Sequence, residues 1–216
     1  MQLRDDAIHR PRPASAAPTH SREFERLASV CGLAVCDRGV DPTLDALARQ
    51  AAELFGVPYG LIGLVRERDQ IPLGRFGLDA HATDRDETIC AHTILADEAF
   101  VVEDLLADPR FAGLPVATNP PYFRFYAGAS VRDRTGLPLG SLCVLGTSPC
   151  VPESRKLFAL MRLATTAGVV LETRRLAIDL LGPAPRPGAT DTALTRLDRV
   201  LAPLFETSRV TRPGYF

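Results

Sequence analysis

The sequence predicts an α+β domain with an antiparallel sheet and helices at both ends of the domain. Two helical patterns precede the first strand patterns and one long helical pattern follows the last, so the strands lie between terminal helices. Residues 123–131 and 137–145 are apolar or small on both faces, as in strands from the middle of a covered sheet. Helices would cover one face of that sheet, and a ligand could bind under whatever covers the other.

Composition narrows the class of protein. A chain of 216 residues fits one domain with tails, and its net charge of −1 without a basic stripe argues against a nucleic-acid partner. No apolar run approaches the roughly 18 residues of a membrane span, and the beginning of the chain lacks the apolar core of a secretory signal. Five cysteines without a C-x-x-C pair favour reduced thiols, so we expect a cytoplasmic protein.

The two ends of the chain differ from its middle. Residues 1–20 are rich in Pro, Ala, Arg and His without periodicity, which predicts a disordered arm before a domain at 21–181. Residues 182–216 comprise a Pro- and Gly-rich linker and an amphipathic segment. That segment is either a helix folded back on the domain or an element that binds a partner.

Local signals place the first two helices. Ser21 is the expected N-cap of a helix that ends at Gly32. Its apolar face is formed by Phe24, Leu27, Val30 and Cys31. Asp41 as N-cap, Pro42 at the first helical position and Gly56 at the end predict the second helix.

Short apolar runs predict the strands. Residues 57–65 indicate a buried strand, and 70–76 a weaker one near an edge because Pro72 cannot donate to a ladder. Residues 77–122 form a long irregular insert with a short helix at 89–96 and a short strand at 100–102. Long irregular segments in compact domains are usually functional or mobile.

The last helix is predicted to begin at Pro152 and to continue to about residue 181. One apolar side is formed by Leu157, Leu160, Ala164, Ala167, Leu171, Ile178 and Leu181. A second is formed by Phe158, Met161, Val169, Val170 and Leu176. A helix with two apolar sides contacts two things, here its own sheet and a helix of a second copy of the chain.

Five motifs in order carry a family resemblance. They are Cys90-Ala91-His92-Thr93-Ile94, Val102-Glu103-Asp104, Asp108-Pro109-Arg110-Phe111, Phe123-Arg124-Phe125-Tyr126-Ala127-Gly128 and Leu139-Gly140-Ser141-Leu142-Cys143-Val144. Together they resemble a GAF domain, of the bacterial sensor subgroup attached to histidine kinases and diguanylate cyclases. The resemblance implies terminal helices on one face of the sheet and an insert over the other that encloses a small-molecule pocket. It also implies regulatory sensing, often as a parallel dimer through the terminal helices.

Some activities within that family do not carry over. The signature of cyclic-nucleotide-binding members is absent from the sequence. A bilin-attaching cysteine is followed directly by histidine, whereas Ala91 separates Cys90 from His92. A metal at Cys90 and His92 would need more ligands, for which only Asp86, Glu87 and Cys143 are near, so no metal site is predicted. A packed Cys90 thiol with a hydrogen-bonded His92 is expected, with a pocket-lining role as the alternative.

The first strand of the hairpin presents Arg124, Tyr126 and Ser130 on one face. Burying Arg124 against helices without a partner would be costly, so this face should be the pocket side. Arg124 would pair with Asp104 or Asp108 of the insert or bind an anionic ligand. Asn119, in a rigid Asn-Pro-Pro rim, would contact the ligand. The candidate ligand-binding residues are Cys90, His92, Asp104, Asn119, Arg124, Tyr126 and Ser130.

The sequence therefore predicts a non-enzymatic sensory module, with no catalytic residue. It would bind an unidentified small molecule and form a homodimer through its terminal helices. The last helix would carry the signal to the C-terminal segment or to a partner protein, and the cofactor is left unknown. Two alternatives stay open. One is an interaction module whose pocket is closed by Tyr126 and Phe76, and the other is a thiol enzyme resembling free methionine sulfoxide reductases that uses Cys90.

Overall fold

The computed structural model describes residues 17–33 and 41–181. Most of the predicted N-terminal arm, the linker and the C-terminal amphipathic segment lie outside these residues. The chain divides into two units, one up to Val170 and one from Leu171. In the described part of the second unit the last helix continues to Leu181, and Arg175 lies 3.3 Å from Glu172 in an ion pair.

A six-stranded sheet forms the centre of the first unit. Its strands are β1 (Tyr59–Val65), β2 (Asp69–Phe76), β3 (Thr83–Asp84), β4 (Phe100–Val102), β5 (Phe125–Arg132) and β6 (Pro138–Gly146). They lie in the order β3-β2-β1-β6-β5-β4, and every neighbouring pair is antiparallel. The α+β class predicted from the sequence is confirmed.

Five α-helices and a short 3-10 helix, Arg85–Glu87, accompany the sheet in the described residues. The α-helices are α1 (Glu23–Gly32), α2 (Pro42–Phe55), α3 (Cys90–Thr93), α4 (Pro115–Thr118) and α5 (Ser154–Leu181). The predicted strand at 100–102 is confirmed, whereas the predicted helix at 89–96 is the single turn α3. The last helix begins at Ser154, two residues after the predicted start. No helix in 17–33 or 41–181 combines the length and apolar composition that crossing a bilayer requires.

Both signals predicted for α2 are confirmed. Asp41 Oδ1 accepts hydrogen bonds from the N–H groups of Thr43 and Leu44, at 2.8 and 3.3 Å. Gly56 ends the helix in the left-handed region, with φ of 70°. These ends fix α2 against the sheet, where a Cβ on Gly60 would lie 2.2 Å from the carbonyl oxygen of Ala48.

The prediction for α1 is right in its end at Gly32 and in the burial of Val30, but wrong in its cap and at Phe24. Arg22, not Ser21, is the N-cap residue, and no side chain caps the helix. Phe24 is 87% exposed, whereas Arg26 is fully buried. The Arg26 guanidinium donates to both carboxylate oxygens of Glu23, at 2.8 and 2.9 Å, and to the carbonyl oxygen of Val65, at 2.7 Å. Because its charge is neutralised and its N–H groups are bonded, Arg26 can take the inward position.

The two faces of the sheet have different covers. On one face α2 packs closely, with the rings of Phe55 and Phe125 6.2 Å apart. On the other face the insert supplies α3 and α4, and its residues Ile94 and Phe111 join the buried core that includes Tyr126. The predicted separation of helices and insert onto opposite faces is confirmed.

Strand β2 lies near an edge, as predicted from Pro72. Its outer neighbour β3 pairs with only two of its residues, Asp69 and Gln70. A register shift between Ile62 and Gly63 of β1 lies opposite Pro72. The missing N–H of Pro72 is therefore tolerated where the ladder is irregular.

Candidate ligand-binding cleft

A cleft of about 790 Å³ lies between the sheet and the insert. Its floor is formed by the sheet residues Leu61, Tyr126, Cys143 and Leu145. Its walls come from residues 78–84, 87–90, 115–116 and 119–120, with Gln70, Pro72 and Phe123 completing the lining. The insert therefore covers the sheet and leaves a space beneath it.

Strand register brings the floor residues together. Tyr126 of β5 pairs with Leu145 of β6, and Cys143 of β6 pairs with Leu61 of β1. Cross-strand partners in antiparallel strands point to the same face. Alternation along each strand directs these four side chains away from α2 and toward the insert. Strands β1, β5 and β6 therefore form one continuous floor.

A chain of polar contacts lies at the inner end of the cleft. Gln70, only 4% exposed, accepts a hydrogen bond at Oε1 from the Thr88 hydroxyl. Thr88 Oγ1 in turn accepts the N–H of Cys90, with 3.2 Å between nitrogen and oxygen. These bonds connect β2 to the start of α3 and hold Cys90 toward the floor.

Two thiols face each other at this inner end. Cys90 Sγ lies 3.9 Å from Cys143 Sγ and 3.5 Å from the Tyr126 hydroxyl, which also bonds Thr93 Oγ1 at 2.6 Å. Hydrogen bonds from Cys143 and from Tyr126 outweigh burial and lower the pKa of the Cys90 thiol to about 6.

The pKa values of two neighbours of Cys90, the Cys143 thiol and the Tyr126 hydroxyl, are shifted in the opposite direction. The hydrogen bond to Cys90, burial and the Cys90 charge raise the pKa of the Cys143 thiol well above its usual range. Burial, together with the charges on the two sulfurs, raises the pKa of Tyr126. Cys90 is therefore the sulfur that ionises first.

The outer part of the cleft carries acidic side chains. Asp79, Asp84 and Glu87 are among its lining residues together with His81, and neither Lys nor Arg is among them. Arg75, outside the lining, donates to Asp79 at 2.6 Å. The charged lining residues of the mouth are therefore carboxylates, and one of them, Asp79, is paired with Arg75.

Three of the seven predicted residues line the cleft: Cys90, Asn119 and Tyr126. Of the other four, Arg124 and Asp104 form a two-bond ion pair, with Nε and Nη2 2.7 and 2.6 Å from the two carboxylate oxygens. This is the internal salt bridge that the sequence left open beside anion binding. Hydrogen bonding from Arg124 lowers the pKa of the Asp104 carboxyl.

Ser130 and His92 also lie outside the lining. Ser130 Oγ donates to the carbonyl oxygen of Thr93 at 2.9 Å and so ties β5 to α3. The His92 ring packs against Phe100 and Phe111, with centroids 6.3 and 4.9 Å away. The hydrogen bond expected for His92 is not formed at Nδ1, which is buried without a partner. Burial lowers the pKa of this imidazole.

Sequence reasoning missed several lining residues, chiefly Leu61, Gln70 and Thr88. It considered Cys143 as a metal ligand and, with Cys90, as a thiol of a methionine sulfoxide reductase-like enzyme, but not as a residue of the ligand site. No clear sequence signal marked Gln70, because the same strand also carries the polar residues Asp69 and Arg75. Within the described ranges, no three His, Cys, Asp or Glu residues are placed to hold a metal ion. Phe76 is not in the cleft wall, since the Arg49 guanidinium covers it at 4.9 Å. Closure by Tyr126 and Phe76 therefore does not occur.

Comparison with known proteins agrees with this geometry. The sequence pattern of the GAF domain family matches residues 40–171. A Pseudomonas aeruginosa protein named a cyclic di-GMP phosphodiesterase is 34% identical over 144 residues. That match covers 67% of this chain but only 24% of the relative, so the chain spans about a quarter of its length.

Two solved structures show the same fold. The GAF domain of an Acinetobacter phosphoenolpyruvate-protein phosphotransferase has a TM-score of 0.54 and 16% identity, covering 72% of this chain and 96% of that one. The free methionine-R-sulfoxide reductase of Neisseria meningitidis, in complex with its substrate, has a TM-score of 0.53 and 18% identity, covering 76% of this chain and 98% of that one. One fold thus occurs in a domain of a phosphotransferase and in a reductase.

Proposed function

Because this chain belongs to the GAF domain family, we propose that it is a regulatory module that binds a small molecule in the cleft between sheet and insert. The observation that carries the proposal is the cleft itself. Its volume of about 790 Å³ lies within the roughly 300–1,000 Å³ of small-molecule sites. Its apolar floor with a few polar groups at the inner end has the composition of such sites.

The charge of the lining favours a neutral or cationic ligand. Phosphate groups in proteins are bound by Arg, Lys and backbone N–H groups. The lining offers carboxylates at Asp79, Asp84 and Glu87 and no Lys or Arg side chain. We therefore do not extend the substrate in the relative's name, cyclic di-GMP, to this cleft.

A regulatory role is favoured over a catalytic one by the placement of Cys90. A reductase of free methionine sulfoxide must bring an amino-acid-sized substrate against its thiolate, and the Cys90 residue is 3% exposed at the inner end of the cleft. Cys90, Tyr126 and Asn119 are proposed as ligand contacts, with Gln70 added from the structure. Asp104, Arg124, Ser130 and His92 are proposed to support the insert.

Signal output is proposed to pass along α5. A Cβ on Gly168 would lie 2.3 Å from the carbonyl oxygen of Arg132, so α5 approaches the end of β5 closely. Strand β5 also carries Tyr126 of the cleft floor. A ligand that repositions the insert against β5 would therefore shift the balance between two arrangements of the helix.

A homodimer through α5 is part of the proposal. The inner apolar side of the helix is not available, because Leu160, Ala164 and Ala167 are fully buried within the first unit. The second apolar side is exposed: Phe158 is 68% and Val169 61% exposed. In the second unit Leu176, seven residues after Val169, is 52% exposed. This spacing is typical of helices that pair along their length.

Thermal unfolding of the full chain with a panel of small molecules tests ligand binding. Val116→Trp would fill the cleft mouth, and Leu106→Trp is the matched control because Leu106 is exposed and not in the lining. Neutral or cationic stabilisers should raise the Tm of the wild type and the control but not of Val116→Trp. Equal stabilisation of all three proteins contradicts the proposal. A panel without a stabiliser, with a raised Tm for Val116→Trp, favours the interaction-module alternative.

A further inference from the structure

The described cysteines differ sharply in their surroundings. Cys31 is exposed and Cys150 is half-buried, and neither has a thiol partner in the described residues. Cys90 and Cys143 are both buried, with their sulfurs 3.9 Å apart. They come from opposite sides of the cleft, Cys90 from the insert and Cys143 from the sheet.

We propose that Cys90 and Cys143 are a peroxide-sensitive pair, and that hydrogen peroxide entering the cleft converts their two thiols into a disulfide. The reaction does not require the ligand proposed above, although both would contact Cys90. It needs only that the cleft admit a molecule about the size of water.

The geometry supports bond formation. Both cysteines line the cleft, so an oxidant in the cleft can reach them although neither is on the outer surface. A disulfide has sulfurs about 2.05 Å apart, so the pair must close by roughly 2 Å. Cys143 is in the middle of the sheet and pairs with strands on both sides, whereas Cys90 is in the one-turn helix α3. The closure is therefore expected to move α3 rather than β6.

The surroundings also assign an order to the two sulfurs. Hydrogen bonding from Cys143 and from the Tyr126 hydroxyl, which lies 3.5 Å from the Cys90 sulfur, favours the thiolate at Cys90 and lowers its pKa to about 6. Thiolates attack peroxides, and thiols do so poorly. Cys90 is therefore the attacking sulfur and Cys143 the resolving one.

The reaction balances with one molecule of hydrogen peroxide. The Cys90 thiolate attacks one peroxide oxygen, the O–O bond breaks, and the departing hydroxide takes up a proton as water. Cys90 is thereby oxidised by two electrons to a sulfenic acid. The Cys143 sulfur then attacks the Cys90 sulfur, the S–S bond forms, the S–O bond breaks, and hydroxide leaves with the Cys143 proton as a second water.

Peptide mapping after peroxide treatment tests the pair. Cleavage after Arg and Lys places Cys90 in residues 86–110, and both Cys143 and Cys150 in residues 135–155. The Cys150→Ser full-length chain removes that ambiguity. Folded protein is treated with increasing hydrogen peroxide, denatured, alkylated and digested. The expected product is a cross-link between the two peptides that forms at peroxide levels where the exposed Cys31 is still alkylated.

Two controls make the outcome decisive. The same treatment in concentrated urea should abolish the preference for the Cys90–Cys143 cross-link, because the native geometry is lost. In Cys143→Ser the reaction should stop at a Cys90 sulfenic acid, trapped by the 1,3-diketone dimedone. The proposal is overturned if Cys31 is oxidised first while Cys90 and Cys143 are both recovered alkylated, or if the cross-link is equally abundant in urea. If Cys143→Ser fails to fold, the comparison of folded and urea-treated Cys150→Ser still decides.

Discussion

The side-chain amide of Gln70 occupies the space that a β-carbon on Gly63 would need. An added Cβ at Gly63 would lie 2.2 Å from Gln70 Nε2. Gly63 belongs to β1 at the register shift opposite β2, and Gln70 uses the freed space to bond Thr88 in the cleft. A single hydrogen atom in place of a side chain thus determines the inner polar end of the cleft.

Gly63→Ala is expected to displace Gln70 while the fold is retained, because the conflicting atom is the end of a flexible side chain. Losing the buried bond to Thr88 should lower the free energy of unfolding by about 1–3 kcal/mol. Gly60→Ala should cost more, since its Cβ would meet the backbone of Ala48 at 2.2 Å. Gly113→Ala is the control, because nothing lies within 4 Å of its added Cβ. Urea unfolding measures all three, and equal effects at the three sites would refute this account.

Part of the stability of the fold depends on the protonation state of Glu23. Burial raises the pKa of the Glu23 carboxyl, but hydrogen bonds from Arg26 and Arg85 outweigh it and lower that pKa from 4.5 to about 2. A lowered carboxyl pKa stabilises the fold above 4.5, and this stabilisation is lost as the pH falls toward 2.

Glu23→Gln should therefore flatten the stability profile between pH 4.5 and pH 2. At neutral pH the substitution should lower the free energy of unfolding by about 2 kcal/mol, chiefly because Arg26 stays buried with one partner fewer. The cost is smaller than for a wholly buried ion pair because Glu23 is partly exposed. Glu25→Gln is the control, since the ion pair of Glu25 with Arg22 is half exposed. Urea midpoints measured across this pH range check the prediction, and parallel profiles for wild type and Glu23→Gln would contradict it.

Arg124 is expected to control the pKa of Asp104 in solution. Because Arg124 lowers the pKa of the Asp104 carboxyl, Arg124→Gln should raise that pKa toward its usual value. The carboxyl resonance of Asp104 in NMR spectra over a pH series measures the change. Arg110→Gln is a suitable control, because Arg110 pairs with Asp108 instead. A pKa of Asp104 that does not respond to Arg124→Gln would show that the ion pair is not formed in solution.

The proposed dimer can be tested with two identical substitutions. Val169→Glu places a charge on the exposed apolar side of α5 and should shift the sedimentation coefficient to that of a monomer. Val151→Glu is the matched control, since Val151 is 75% exposed but precedes the helix. A change of Leu171 would be less informative, because this residue is only 1% exposed. Dimers that persist in Val169→Glu would exclude this side of the helix as the interface.

Sequence signals that act over a few residues were sufficient to predict most of the helices and strands. Asp41 and Gly56 set the ends of α2 through bonds within one turn, and Pro72 marked an irregular ladder. Alternation along β5 separated Tyr126 from Phe125 without any knowledge of the neighbouring strands. One exception is α1, where the sequence favours Phe24 as the buried residue and the fold buries Arg26. The other is the insert, where β3 and α4 were not predicted and the helix expected at 89–96 is a single turn.

The sequence by itself determined the class, the order of the elements and the face of β5 that meets the insert, because these depend on backbone propensity and alternation. Only the tertiary structure decided the composition of the cleft. Leu61, Gln70, Thr88 and Cys143 come from four separate segments, and strand register and insert placement bring them together. The inward position of Arg26 was decided in the same way, because its partner Val65 is 39 residues distant in sequence. Contacts over such separations leave no periodic pattern in the chain, so they cannot be read before the fold is known.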